Sequence, residues 1–288
     1  MSFMSNEPSG TQPPVPGQIG DPEFRRHLYR GTAGYYDRFR VPYPRPLIDD
    51  LAERSGAGGD GRLLDLACGT GQLAFALCDR FADVLAIDAE PDMADLVGQK
   101  ACAAGIGNIT WQACEAENLS APRDSFDLVT IGSAFHRVQR GIVAANVFQW
   151  LRPGRCLALV WGATPWHGDT PWQHALSQTM DRWMVRARAL DRIPAGHQQA
   201  RTNRPDAVIL REAGFEQVGT FECDQAVVWT PQTLAGFVFS TSVLSHAALG
   251  DLAPAFEEDL RREILASEPA GEFRQSVRFS YELARRPC

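Results

Sequence analysis

Short apolar runs alternate with helical periodicities through the first half of the chain. LLDLA (63–67), DVLAID (83–88), NITWQA (108–113), FDLVTIG (126–132) and RCLALVW (155–161) each read as a strand. Residues 71–81, 92–104 and 138–151 carry apolar side chains at helical spacing. Pro91 opens the second of these helices, and the turn Pro153–Gly154 introduces the fifth strand. Strands that are nearly continuous in apolar residues belong to a parallel sheet covered on both faces. Five of them alternating with helices predict an open, doubly wound α/β sheet.

The alternation stops after Trp161. Residues 162–205 hold several arginines and three histidines, and Leu176, Met180, Trp183, Met184 and Ala187 follow helical spacing within 173–190. This segment predicts a helical cap insertion. A helix over 206–213, a longer strand over 215–229, a largely helical stretch over 231–267 and a last strand over 277–284 complete the pattern. At the other end, residues 1–23 are rich in Pro, Gly, Ser and Gln and predict a disordered tail. Residues 24–41 alternate aromatic and arginine residues, and Pro46 then opens a helix with Leu47, Ile48 and Leu51 on one side. The organisation expected is a tail over 1–23 and one domain over 24–288.

Composition narrows the functional classes. A net charge of −7 with a single lysine, Lys100, makes a phosphate-tracking surface a poor expectation, so nucleic acid is not the partner foreseen. No run approaches the length of a membrane-spanning helix, and residues 1–23 lack the layout of a signal peptide. The seven cysteines include no C-x-x-C pair, which predicts free thiols in a reducing cytoplasm and no zinc site.

In an open α/β sheet, ligands bind at the carboxyl ends of the strands. The first strand ends in Asp65 and runs through Ala67-Cys68-Gly69-Thr70-Gly71 straight into a helix. Gly69 to Ala74 fits G-x-G-x-x-G/A, the dinucleotide pattern, which keeps an NAD-dependent oxidoreductase open as an alternative. The acids argue the other way. Asp65 would repel a pyrophosphate and attract an amine. Asp88, closing the second strand, suits ribose hydroxyls. Glu115-Ala116-Glu117, after the third, puts an acid and a backbone N–H within reach of an adenine edge. One acid after each of three successive strands predicts a ligand with a ribose and an amine but no phosphates.

These motifs (LLDLACGTG, VLAIDAEPDM, ACEAENL, FDLVTIGSAFHRV and LRPGRCLALV) resemble, in order and spacing over about residues 30–165, the class I S-adenosylmethionine-dependent methyltransferases, in their small-molecule branch. The resemblance implies a seven-stranded Rossmann-like sheet with an antiparallel last strand, N-terminal helices and a helical lid. It implies S-adenosylmethionine as cofactor and S-adenosylhomocysteine as product. Asp65, Gly69 and Gly71 would hold the methionine part, and Asp88 the ribose, with Ala89 or Met93 beside the adenine. Glu115 and the Ala116 N–H would read the adenine, and Ser133 would lie beside the cofactor amine. Tyr36 and Arg40 match a Y-D-x-x-R stretch that covers the cofactor and meets its carboxylate. Ala67 stands where many members have glycine, a small change expected to be tolerated.

Methyl transfer is an in-line displacement at a carbon already activated by a sulfonium. The protein must hold the partners in near-attack geometry and exclude water, and a base is needed only for a protonated nucleophile. His136, after the fourth strand, is the candidate base, with His167, His174 and His197 in reserve. Trp161, Trp166, Trp172, Met180 and Trp183, with Phe237 from the later helical stretch, are the expected walls of an acceptor site. No metal is expected. The reading is a cytoplasmic methyltransferase, monomer or homodimer, acting on an O, N or C centre of a small, rather apolar metabolite, with natural-product tailoring suggested by the family branch. A methyltransferase-fold cyclase or binder without methyl transfer stays open beside it.

Overall fold

Leu63 and Leu64 are both fully buried, yet they belong to opposite apolar clusters, because successive residues of a strand face opposite sides of the sheet. That two-sided burial organises the protein, whose computed structural model describes residues 21–288. Residues 1–20 of the expected tail lie outside the described residues.

Two helices, α1 (Ala33–Phe39) and α2 (Arg45–Ser55), precede the sheet. Then follow β1 (Gly59–Leu66), α3 (Gln72–Leu77), β2 (Phe81–Asp88), α4 (Pro91–Ala104), β3 (Ile109–Ala113), β4 (Phe126–Gly132), α5 (Arg140–Trp150) and β5 (Leu151–Gly162). The second half comprises α6 (Pro171–Arg186), α7 (His197–Asn203), α8 (Asp206–Glu212), β6 (Glu216–Trp229), α9 (Pro231–Phe239), α10 (His246–Leu249), α11 (Ala253–Ser267) and β7 (Phe273–Arg285). The strands form one seven-stranded sheet in the order β3-β2-β1-β4-β5-β7-β6. β1 to β5 are mutually parallel, while β7 runs antiparallel to both β5 and β6. This is the doubly wound Rossmann-like sheet with an antiparallel last strand. One face is covered by α2, α3, α4 and the later helices α6, α9 and α11, the other by α5 and α8.

Several boundaries differ from the periodicity. The helix expected over 71–81 ends at Leu77, and a 3₁₀ turn over Cys78–Arg80 delivers Phe81 into β2. Phe81 is 4% exposed and pairs with Gly59 of β1, so sheet pairing takes a residue that helical spacing also claimed. Pro153–Gly154 does not precede β5 but lies inside it. The register with β4 slips there, and Gly154 takes φ +78, which marks a bulge. The stretch 231–267 breaks into α9, α10 and α11. Residue Asp21, assigned to the tail, is pinned. Its carboxylate accepts from the backbone N–H and the guanidinium of Arg140, the first residue of α5, at 2.6–2.8 Å. Asp21 thus caps a helix 119 residues away in the chain and places an anion at its positive end.

Candidate functional site

The β1–α3 loop is held from below by two buried carboxylates. Asp65, 1% exposed, accepts from the Ala74 N–H at 3.0 Å and the Thr130 hydroxyl at 2.8 Å. Both oxygens are committed to tying β1, β4 and α3 together, so Asp65 sits behind the loop and does not face the cavity. This corrects the expectation that it receives the ligand amine. Burial pushes its pKa up to about 7. Asp88, at the end of β2, accepts from the Gly69 N–H at 2.7 Å and the Glu90 N–H at 2.9 Å, and it does reach the cavity wall. Burial raises it to about 6, against the lowering effect of those two N–H bonds.

The loop needs its unusual backbone. Gly69 has φ +55 and passes under the Tyr36 ring, where a Cβ would come within 3.3 Å. Gly71 has φ +81 and leads into α3, where a Cβ would come within 3.0 Å of Phe75. Gly71 therefore shapes the turn without lining the cavity. Ala67 takes φ +52 and Ser133 φ +51, left-handed conformations that a Cβ makes costly. The replacement of glycine at 67 is accommodated, but under strain. Lys100 donates to the Thr70 carbonyl at 2.8 Å and to Asp37 of α1, which fastens the glycine loop to α1.

Above this loop lies a cavity of about 310 Å³ at the carboxyl edge of the sheet. Tyr36, Ala67, Gly69, Asp88, Ala89, Met93, Glu115, Ala116 and Ser133 all line it. Nine of the twelve residues expected to hold a cofactor are therefore brought together, Asp65 and Gly71 stand behind them, and Arg40 lies next door. A second, small cavity of about 30 Å³ shares Tyr36 and Ser133 with the first and adds Arg40, Tyr43, Phe237 and Phe279. The Arg40 guanidinium lies 4.6 Å from the centroids of both Tyr36 and Phe237 and donates to the Ser240 hydroxyl at 2.8 Å. The Tyr43 hydroxyl is 3.5 Å from that of Ser133, and burial raises the Tyr43 pKa above its ordinary range, so it stays neutral.

The roof of the large cavity was not foreseen. Residues 23–29 form its outer wall. Glu90, buried, accepts from the Tyr29 N–H at 3.0 Å and from His27 Nδ1 at 3.2 Å, and Asp92 accepts from the Gly31 N–H at 2.8 Å. Arg26 pairs with Glu115 at 3.1 Å, Arg25 with Asp191 at 2.5 Å, and Arg192 donates to the Leu28 carbonyl at 2.9 Å. Alternating aromatics and arginines over 24–41 were visible in the sequence, but nothing local said what they would meet. Glu90, Tyr29, Arg137, Tyr43 and Phe279 are the further site residues that the sequence reading passed over.

The expected catalytic and acceptor residues fare differently. His136 lines neither cavity. Its ring lies among Trp161, His197 and Phe24, with centroids 5.7 to 6.3 Å away, and its buried Nδ1 lacks a hydrogen-bond partner. Burial, then the charge of Arg137, pulls its pKa far down, so the imidazole is neutral and a feeble base. His197 is lowered as well, first by burial. Trp172, Met180 and Trp183 are core. Trp172 packs on Phe273, and Trp183 packs edge-on against Phe256 while its indole N–H donates to Asp259 at 2.7 Å. The apolar face of α6 is spent on α11 and the sheet. Trp166 stands behind Phe237, and Trp161 stacks under Arg201. Of the proposed acceptor walls, Phe237 alone lines either of these two cavities. Among these residues, no group of three or more His, Cys, Asp or Glu is placed to hold a metal, and no helix is long and apolar enough to cross a membrane.

Comparison with known proteins agrees with this geometry. A family profile described as "Methyltransferase domain" matches residues 63–154, the segment that builds β1 to β5. An uncharacterized methyltransferase of Mycobacterium tuberculosis is 33% identical over 133 residues, 46% of this chain and 51% of its own, so the chain spans about half the length of that relative. The nocamycin O-methyltransferase of Saccharothrix syringae is 27% identical over 278 residues, 90% of this chain and 97% of its own. Among solved structures, a provisionally named type II methyltransferase from Anaeromyxobacter dehalogenans superposes with a TM-score of 0.59 at 20% identity, over 86% of this chain and 97% of its own. The [4+2]-cyclase SpnF does so with a TM-score of 0.50 at 20% identity, over 92% of this chain and 88% of its own, a likeness of fold. In its motifs, its sheet order and the methyltransferase domain matched over residues 63–154, this chain is similar to the class I S-adenosylmethionine-dependent methyltransferases.

Proposed function

We propose that the chain transfers the methyl group of S-adenosylmethionine to an O, N or C centre of a small acceptor with an apolar body. The observation that carries this reading is the pair of neighbouring cavities that share Tyr36 and Ser133: a large one lined by Asp88 and Glu115 and a small aromatic one. The large cavity suits an adenosyl ligand. Asp88 and Glu115 on its wall can take hydroxyls and an amine, and Met93 and Ala89 give apolar contact. At the glycine loop itself a pyrophosphate is poorly served, since Lys100, which donates to the Thr70 carbonyl, is engaged with Asp37. The cofactor would supply an electrophilic methyl on a sulfonium. The chain's own part is to bind, orient and keep water out. Residues 23–29 and Tyr36 exclude solvent, and the neutral hydroxyls of Tyr43 and Ser133 can orient an acceptor atom. With His136 turned away, the small cavity presents no group suited to removing a proton at neutral pH, which favours an acceptor that arrives unprotonated.

The likeness to an O-methyltransferase over nearly the whole of both chains supports transfer to oxygen and a tailoring role in secondary metabolism. A cytoplasmic place of action, and a small molecule as partner in preference to nucleic acid or membrane, accord with the net charge of −7. The test is calorimetric titration of the wild type and Asp88→Ala with S-adenosylhomocysteine and with NADH. Micromolar binding of S-adenosylhomocysteine alone, weakened at least tenfold in Asp88→Ala, is expected. Tight NADH binding without a response to S-adenosylhomocysteine would sink the proposal.

A further inference from the structure

Three arginines converge on one short buried segment between the roof and α9. Arg40 donates to the hydroxyl and the carbonyl of Ser240, Arg137 to the hydroxyl of Ser242 at 3.0 Å, and Arg192 to the Ser242 carbonyl. Ser240 and Ser242 are 0% and 1% exposed. Among the described residues, all of these partners are uncharged, and no carboxylate pairs with any of the three guanidinium groups. The rest of the protein behaves otherwise, since most of the arginines around the roof and cap, including Arg25, Arg26, Arg140, Arg182, Arg201 and Arg204, do have an acidic partner.

Arg137 is the member that faces the large cavity. Its guanidinium lies 4.9 Å from the Phe24 ring and 5.0 Å from the Tyr29 ring, and its Nε is buried without a hydrogen-bond partner. A buried guanidinium donor with nothing to donate to is costly unless a ligand completes it. The cofactor does not balance this charge. It brings one carboxylate, against an ammonium and a sulfonium, so its own net charge is positive; of the acids that line the same cavity, Asp88 and Glu115 are the ones assigned above to the cofactor, and Glu90 is engaged with the roof. Burial, then the charge of Arg25, already pulls Arg192 below its ordinary range, with Asp191 opposing.

We propose that Arg137, set between Phe24 and Tyr29 beside Ser242 and backed by Arg40 and Arg192, is an anion-binding subsite for a carboxylate carried by the methyl acceptor. This rests on the methyltransferase reading and narrows its substrate to acids with an apolar body. A guanidinium recognises a carboxylate through charge-assisted N–H donation, in a planar geometry that an ammonium lacks.

The test is calorimetry on protein saturated with S-adenosylhomocysteine, with 2-naphthoate and its neutral counterpart 2-naphthamide as probes. The wild type is expected to bind the carboxylate at least tenfold more tightly than the amide. In Arg137→Gln the difference shrinks to less than threefold, in Arg137→Lys much of it remains, and any fall in S-adenosylhomocysteine affinity, read in parallel, is smaller than the fall in carboxylate affinity. The wild-type comparison needs no variant to fold. Equal binding of the two probes, or binding of neither, overturns the proposal. So does a loss of S-adenosylhomocysteine affinity in Arg137→Gln as large as the loss of carboxylate affinity, which would assign the guanidinium to the cofactor's own carboxylate. Absence of S-adenosylhomocysteine binding in the wild type would instead remove the methyltransferase reading beneath it.

Discussion

The floor and the roof of the large cavity are built by different physics. The floor consists of strand ends and the loops that leave them, and its carboxylates Asp65 and Asp88 are satisfied by hydroxyl and backbone donors within the β1–β4 core. The roof has no regular helix or strand, turns over residues 26–31, and is held by side chains from 61 to 166 residues away. Its middle latches are exposed. Arg25 and Asp191 are 61% and 58% exposed, and pairs of that kind contribute at most about 1 kcal/mol. Its two ends are anchored in the interior, by Arg140 on Asp21 and by Glu90 on Tyr29.

The cap sharpens the contrast, because its tryptophans belong to neither surface. Trp183→Ala should cost about 3–5 kcal/mol in chemical denaturation, as for other buried aromatics, and leave S-adenosylhomocysteine affinity within threefold. A loss of binding without a loss of stability would return Trp183 to a ligand site. Breaking the inner anchor should be nearly as severe. Arg140→Ala strands Asp21 and leaves Asp206 with Arg201 alone, both carboxylates being largely buried, and is expected to lower stability by about 3–5 kcal/mol. Hydrogen exchange should then show the 21–31 amides freed first. Protection unchanged there would mean that the roof does not depend on this anchor.

The floor responds to pH. With Asp88 at about 6, its carboxylate is almost fully ionised at pH 7.5 and about one-tenth ionised at pH 5, so S-adenosylhomocysteine affinity should fall about tenfold over that interval. A flat titration would show that the ribose does not use Asp88. The raised Asp65 acts on folding with the opposite sense to a paired surface carboxylate. Between about pH 4 and pH 7 the native state keeps a proton that the unfolded chain has lost, so this group's contribution to stability declines as pH rises. The smallest effect concerns the loop backbone. Ala67→Gly relieves a left-handed alanine and should raise stability by about 0.5–1 kcal/mol, read as a higher denaturation midpoint. A decrease would mean that the Ala67 methyl contributes more by contact than its conformation costs.

Apolar runs, glycines and the acids at strand ends placed the five parallel strands, the glycine loop and the Asp88 and Glu115 corner of the large cavity, because those features depend on near neighbours and on the ends of adjacent strands. Leu63 to Asp65, Asp88 and Glu115 could be ordered along the sheet edge from their strands alone. The chain itself also determined that α6 would have an apolar face. Only the tertiary structure decided what that face meets, since helical spacing identifies a buried side and not whether a core or a ligand covers it. The same holds for His136, whose position after β4 was legible but whose ring turns into an aromatic cluster away from the cavities. It holds most of all for Asp21 on Arg140 and Tyr29 on Glu90. Charges and backbone donors leave no periodic trace of a partner 61 or 119 residues away, so the roof existed for the reader only once the fold had closed.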